Sequence, residues 1–371
     1  LPDSPPGVTA LPRTRAIFLP LPDPAAETPF QLLASIDGVR AASIRARRVI
    51  VATGGFDAGL LFPGSDRPGV MTAEGALSLA VPGDAPPFAR ALIVGGGERA
   101  ALLLERFGTF VEAVVAPGAI DPVVVERASA LGVPLYPRSL LRGVQGRRRV
   151  RSAHVAHRGA KERFELRCDA ILLAHRRVPN AQLLFQAGVR MHWRGAGGAY
   201  FPVIDHDLTT SVPGLFAAGE LAGFTGTEAI EASGRSAAEA SLGRPASLDA
   251  LPARVPADGP HELEGYYREL LSGQFASGKL VACACEDVLL EEIRHAVRDG
   301  YRGIEVVKRY TGVGTGLCQG RYCLPDALLL LSILEGRPPE SIGYITQRPP
   351  VFPTALSTFA SLSDCAAPGG S

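Results

Sequence analysis

The chain has 371 residues and a formal net charge of +1, from 38 basic and 37 acidic side chains. At about 100–200 residues per domain, that length predicts two or three domains, and a composition of 46% hydrophobic and 20% charged residues excludes a long disordered chain. Near-neutrality argues against binding nucleic acid through bulk charge, and no run of about 18 apolar residues offers a membrane span.

No basic, then apolar, leader opens the sequence, so a cytoplasmic protein is expected, with peripheral membrane association left open. Six cysteines are too few for a disulfide scaffold in a chain this long. The Pro-rich start gives way at Phe30 to a strand, Phe30 to Ile36. With the turn Asp37-Gly38 and the run Arg40 to Ile44 it predicts a β-hairpin. The β-branched run Arg48 to Ala52 predicts a buried strand that stops at Thr53-Gly54-Gly55.

From Ala91, "ALIVGGGERAALLLERFGTFVEAVVA" reads as strand, glycine turn, helix and second strand, with Ala100, Leu103, Leu104 and Phe107 on one helical face. Gly95, Gly97 and Ala100 make a G-x-G-x-x-A turn between a strand and a helix, a candidate nucleotide site for ATP or NAD. The second strand ends at Ala116-Pro117 with no acid for a ribose 2′-hydroxyl and no arginine for a 2′-phosphate. Hydride transfer from NAD(P)H is therefore poorly supported. The turn is either a nucleotide site or a retained fold without a ligand.

Further along, His154 and His157 sit in a basic segment expected to be a solvated strand pair, and Cys168 borders the apolar strand "CDAILLA", where a core position is expected. "TTSVPGLFAAGELAG", Thr209 to Gly223, precedes a helix from Gly226 to Ala240 whose N-terminus could face an anion. A Pro-, Ala- and Asp-rich stretch then predicts a linker over 246–278. Arg176 and Arg235 read as isolated surface charges, and Cys365 as free and exposed. Neither a G-x-S-x-G elbow nor an H-E-x-x-H motif is present.

The most informative feature is Cys283, Cys285, Cys318 and Cys323: C-x-C, 32 intervening residues, then C-x4-C. Four thiolates complete a [2Fe–2S] cluster or a tetrahedral zinc site. Structural zinc usually pairs its ligands as C-x2–4-C, which the tight C-x-C does not match. Gly312, Gly314 and Gly316 alternate just before Cys318, a pattern that lets backbone N–H groups face an anion. An anionic cluster gains from such donors. Iron–sulfur is the favoured reading, with zinc or four buried structural cysteines as the alternatives. Helices are expected over Val288 to Arg298, Ile304 to Tyr310 and Asp326 to Leu334. The last of these, with the "RPPVFP" tail, reads as surface for docking another subunit.

The segment "CACEDV…AVRDGYRGIEVVKRYTGVGTGLCQGRYC" resembles the small all-helical [2Fe–2S] module related to bacterioferritin-associated ferredoxin. It is most similar to the version in the α-type subunit of heteromeric amine and amino-acid dehydrogenases, which include opine oxidase, hydrogen cyanide synthase and dye-linked proline or hydroxyproline dehydrogenases. Heterotetrameric sarcosine oxidase is a more distant relative. Thr346 to Pro353, "TQRPPVFP", fits that family too, and Thr315 stands where the family often has Met. "RVIVATGG" resembles the ATG motif of two-dinucleotide-domain flavoproteins, and "FAAGELAG" resembles their flavin-contacting stretch, with Glu220 where Asp is usual.

The resemblance implies an α/β two-dinucleotide-binding-domain flavoprotein fold plus the small cluster module. It implies an FAD-type domain over 1–84 and 191–245, an inner Rossmann-like domain over 85–190, the module over 279–345 and a tail over 346–371. It implies FAD contacts at Ala52, Thr53, Gly54, Gly219 and Glu220, and cluster ligands at the four cysteines. It also implies a catalytic flavoprotein (β-type) partner that oxidises the substrate, with no catalytic residue in this chain. The FAD pyrophosphate normally sits on an N-terminal G-x-G-x-x-G turn, and none precedes Ile50. About 80–120 residues of a usual first half are thus unaccounted for, through truncation or real loss, and this stretch alone is expected to hold FAD weakly. The alternatives are an NAD(P)H-dependent flavin reductase with a fused ferredoxin-like module, or a non-enzymatic iron–sulfur partner protein.

Overall fold

The computed structural model describes residues 7–80, 85–245, 262–273, 275 and 278–362. Its centre is a five-stranded, all-parallel sheet in the order Val70–Thr72, Ala170–Leu173, Ala91–Val94, Val111–Val115, Leu135–Tyr136. These strands are apolar at nearly every position, as a sheet covered on both faces requires. Alternate residues serve the two faces. Ile93, Val114 and Leu172 face a core with helices Ala73–Ser78, Glu98–Phe107 and Pro122–Leu131. Leu92, Val94, Ala113, Val115, Ile171 and Leu173 face the opposite core.

The turn from Ala91–Val94 into the next helix runs as the sequence predicts, and that helix buries Ala100, Leu103, Leu104 and Phe107. Pro122–Leu131 starts on Asp121, whose side chain accepts from the Val123 N–H. It stops at Gly132 in the left-handed region.

A second body collects the chain's two flanking parts. The hairpin Phe30–Ile36/Arg40–Ala46, extended by Thr14–Phe18, packs near a parallel pair, Val49–Val51 with Leu215–Ala217. Helix Thr227–Ser241 buries Ala229, Ser233 and Ala237 against the same core. Gly55–Asp57 pairs with Arg177–Pro179 and connects the two bodies. Among the described residues, no helix is long and apolar enough to cross a membrane.

The C-terminal region differs from expectation in four places. Residues 262–271, inside the expected linker, form the helix Glu262–Leu271, while 246–261 lie outside the described residues. Leu263, Tyr266, Tyr267 and Leu270 recur at i, i+3, i+4, i+7 and are all buried, a helical stripe hidden by its Pro-rich approach. The run from Val288 opens as a strand, Val288–Leu289, paired with Val281–Cys283, before the helix Leu290–Arg298.

The expected docking helix extends over Leu324–Glu335, and every residue from Leu324 to Leu331 is buried. It is an interior helix, packed on Glu262–Leu271, Leu290–Arg298 and Ile304–Thr311, and offers no docking face along that stretch. Part of the tail is occupied: the Val351 N–H donates to Ile17 O at 3.0 Å, and the Arg15 and Arg321 guanidiniums lie 4.4 and 3.9 Å from the Phe352 ring centre, while Arg348, Pro349 and Pro353 are exposed.

One core therefore runs from the lower face of the parallel sheet into the cysteine region without interruption. The Tyr266 hydroxyl lies within it at hydrogen-bond distance of two carbonyl acceptors, Leu61 O at 3.1 Å and Leu141 O at 3.0 Å, which share its one proton.

Candidate functional site

The strand Val49–Val51 runs parallel to Leu215–Ala217, and the Ala218 N–H donates to Val51 O at 3.1 Å. Both strands therefore end side by side, which brings Ala52, Thr53 and Gly54 next to Gly219 and Glu220. Ala52 and Thr53 are exposed, although the strand behind them is apolar. The Thr53 hydroxyl donates to Asn180 O at 2.7 Å. Gly54 and Gly219 both sit at positive φ, +67° and +70°, where a side chain would be strained. The Gly219 N–H is taken by the Ser233 hydroxyl at 2.9 Å, which fixes the turn on the following helix.

Glu220 is held from two sides. It accepts from the Gly55 N–H at 3.0 Å, and from Arg177 Nε and Nη2 at 2.8 and 2.5 Å. Arg177 reaches further, to Gly55 O, Asp57 and Glu74. Asp57 is 2% exposed and also pairs with Arg99 at 3.3 Å. Sequence reasoning missed this network. The run "RRVPN", Arg176 to Asn180, was the available signal, but nothing in its spacing says that its arginine meets residues 55–57 and 220.

Burial raises the Glu220 carboxyl, but Arg177 and the Gly55 N–H outweigh it and hold the pKa below its ordinary 4.5. A carboxylate lowered on folding stabilises the protein above its unfolded value, and that stability is lost as the pH falls through the folded one. Thermal stability should therefore fall as pH drops below about 4.5, and Glu220→Gln should flatten that part of the profile. Superimposable acid profiles for the two proteins would exclude this role.

An open cleft of about 690 Å³ faces the network. Gly97, Arg99, His175, Arg177, Glu220 and Phe224 are among its walls, so the inner glycine turn and the flavin-type residues share one space. His175 follows the strand Ala170–Leu173. Burial and the neighbouring Arg176 push its pKa down to about 3, so it is neutral. Arg176 is not a surface charge: its side chain is 3% exposed, donates to Gly198 O at 3.1 Å, and forms an ion pair with Asp326. Arg235 is exposed, within 3.8 Å of Glu231. Cys168 is in the core, its thiol pushed up to about 12 by burial. His154 lies on the strand Ser152–His157 and contacts Gln145 at 3.0 Å, while His157 meets Ser139 at 2.9 Å. Cys365 lies outside the described residues.

The four cysteines of the motif converge as two thiol pairs, Cys283 with Cys323 and Cys285 with Cys318. Cys283 and Cys323 are buried, while Cys285 is exposed and Cys318 half-buried. Among the described residues, no three His, Cys, Asp or Glu side chains already stand at metal-ligand spacing. The surroundings nevertheless suit a thiolate-bound group. The Cys323 thiol and the backbone N–H groups of Gly314, Glu286 and Cys285 lower Cys283 to about 6, against its burial. Gly312 and Gly314 have φ of +83° and +84°. At Gly316, a Cβ would collide with the Cys285 Cβ, so glycine is what lets the two cysteine segments meet.

This loop packs on the flavin-type site. Tyr322, between Cys318 and Cys323, meets Phe56 edge-on with ring centres 6.3 Å apart. Gln182, beyond Asn180, accepts from Arg321 at 2.7 Å and approaches Gln319 O at 3.4 Å.

Comparison with known proteins gives two family matches: pyridine nucleotide-disulphide oxidoreductase over residues 27–240, and the sarcosine oxidase A3 domain over 278–362. The chain is 29% identical to an opine oxidase subunit of Rhizobium meliloti (strain 1021) over 358 residues, covering 86% of this chain and 77% of the relative. It is 25% identical to the hydrogen cyanide synthase subunit HcnB of Pseudomonas aeruginosa over 360 residues, covering 85% and 76%. The fold is shared with L-proline dehydrogenase from P. horikoshii, at a TM-score of 0.69 and 21% identity, over 93% of this chain and 64% of that one. With more than half of its length matched by a single family, the chain belongs to the pyridine nucleotide-disulphide oxidoreductases.

Proposed function

We propose that this chain is the electron-transfer subunit of an FAD-dependent amine or amino-acid dehydrogenase, assembled with a catalytic flavoprotein (β-type) subunit. One observation carries the reading: the Cys318–Cys323 loop is seated directly on the strand and helix that border the flavin-type residues. The relatives are named as subunits, one of opine oxidase and one of hydrogen cyanide synthase, and those names support a component of a larger oxidoreductase.

When bound, FAD and a [2Fe–2S] cluster supply one-electron chemistry between a two-electron donor and an acceptor. The chain's own residues have the following parts. Ala52, Thr53, Gly54 and Gly219 leave room for close backbone approach, and Glu220 accepts ribityl hydroxyls while Arg177 fixes its orientation. Cys283, Cys285, Cys318 and Cys323 hold the cluster, and the N–H groups at Gly314 and Glu286 temper its negative charge. Phe56 and Tyr322 join the two sites by their edge-on ring contact. Gly95, Gly97 and Ala100 form the inner turn, which takes a nucleotide such as ATP or NAD.

Co-expression with a catalytic flavoprotein (β-type) subunit should yield a complex that reduces a dye with sarcosine, proline, hydroxyproline, glycine or an opine. The isolated chain should show no such activity. Robust amino-acid-driven dye reduction by the isolated chain would move catalysis into this sequence, and robust NAD(P)H-driven reduction would make it a flavin reductase instead.

A further inference from the structure

The strand Val111–Val115 ends in Ala116, Pro117 and Gly118, without an acid. In a Rossmann nucleotide site, that strand end carries the carboxylate that binds the adenosine ribose. Here a carboxylate reaches the same place from outside the sheet. Glu262, first in the helix Glu262–Leu271, lays its carboxylate against Gly118 so closely that a Cβ there would collide with it. Arg158 Nη2 donates to the Glu262 carbonyl at 3.3 Å and helps fix the helix start.

Glu262 lines a cavity of about 440 Å³ with Gly95, Gly96, Gly97, Ala116 and His175. The three glycines differ in purpose. At Gly95 and Gly96 an added Cβ would strike the backbone of Ala174 and Ala119, so those glycines serve packing. At Gly97 nothing lies within 4 Å. The space beside it is open, and the helix Glu98–Phe107 begins there without a side-chain cap. The His175 ring nitrogens are shielded from solvent, and Gly59 approaches the ring without meeting hydrogen-bond geometry. This cavity and the cleft at Glu220 share Gly97, Asp121, His175 and Ala196. One trough therefore runs from Glu262, past the glycine turn, to the flavin-type residues.

We propose that Glu262 is the ribose-binding acid of the inner site, and that the site selects a nucleotide with free 2′- and 3′-hydroxyls. The proposal rests on the reading that the inner domain holds a nucleotide. Both hydroxyls donate to the carboxylate, whereas a 2′-phosphate brings like charge against it. Because the same helix buries Tyr266 and Tyr267 in the core shared with the cysteine segment, the ribose contact belongs to the element that joins the two regions.

The test is equilibrium dialysis of the full chain with ADP, 2′,3′-dideoxy-ADP and 2′-phospho-ADP, using wild type, Glu262→Gln and Glu262→Ala. Wild type should bind ADP about ten-fold or more tightly than the dideoxy analogue. Glu262→Ala should lose a similar factor for ADP and almost nothing for the dideoxy analogue, so the two deletions are not additive. It should also discriminate less against 2′-phospho-ADP. A general structural defect would weaken both nucleotides alike and overturn the proposal, as would unchanged ADP binding in both variants. The wild-type comparison of ADP with its dideoxy analogue stands without any variant, and equal binding of the two would also overturn it. If wild type binds no ADP at all, the nucleotide reading beneath the proposal fails with it.

Discussion

Anaerobic reconstitution with iron and sulfide should give about two iron and two sulfide per chain, with visible absorption that dithionite bleaches. Cys318→Ser should abolish that spectrum. The structure also says which cysteine makes the cleanest test. Cys323 is 5% exposed and stands at the N-terminus of the Leu324–Glu335 helix, so replacing it disturbs a buried helix start as well as a ligand. Cys318 is half-buried in a surface loop, and its exchange for serine should shift unfolding of the metal-free chain by no more than about 0.5 kcal/mol. Loss of colour with preserved unfolding assigns Cys318 to the cluster. Stoichiometric zinc with no visible spectrum would contradict the iron–sulfur assignment, and a coloured Cys318→Ser protein would remove that residue from the ligand set.

The parts legible in the sequence were those governed by local rules. The glycine turn and its helix follow from a 3.6-residue apolar period beside a β-branched run. The cysteine pattern, with its alternating glycines, pointed to the family before any fold was known. Long-range pairing was not legible. Arg177 lies 43 residues from Glu220 and 120 from Asp57, and no periodicity brings an arginine to two such acids. Composition misled where it stood in for geometry. The Pro- and Ala-rich approach to Glu262 concealed a helix whose Leu263, Tyr266, Tyr267 and Leu270 carry a plain helical stripe. The Leu-rich run at 324–334 is apolar around the helix apart from Asp326 and Ser332, which marks an interior helix and not a docking face.

The largest stability effect is expected at Arg176 and Asp326, which link the strand region beside Glu220 to the helix that begins at Cys323. Their side chains are 3% and 9% exposed, and each is the other's counter-ion. Removing one partner of such a pair leaves a buried charge and costs about 3–5 kcal/mol. The two deletions should not be equal. Burial raises the Asp326 carboxyl, with Arg176 and Tyr267 opposing it, so without Arg176 the acid can take up a proton and become neutral. Arginine has no such escape. Asp326→Ala should therefore destabilise more than Arg176→Met. The Arg176→Met defect should shrink on acidification, because an acid raised on folding costs stability at pH above its unfolded value and not below it. The double variant Arg176→Met/Asp326→Leu should recover most of the loss, since an apolar pair of similar volume leaves no charge behind. Urea unfolding across a pH series measures all three. If Asp326→Ala unfolds at the wild-type urea concentration, the pair does not join the cysteine region to the flavin-type body. If it unfolds early and the double variant recovers, the two regions form one cooperative unit. In that case dye reduction by the assembled complex should fall with Asp326→Ala and return with the double variant.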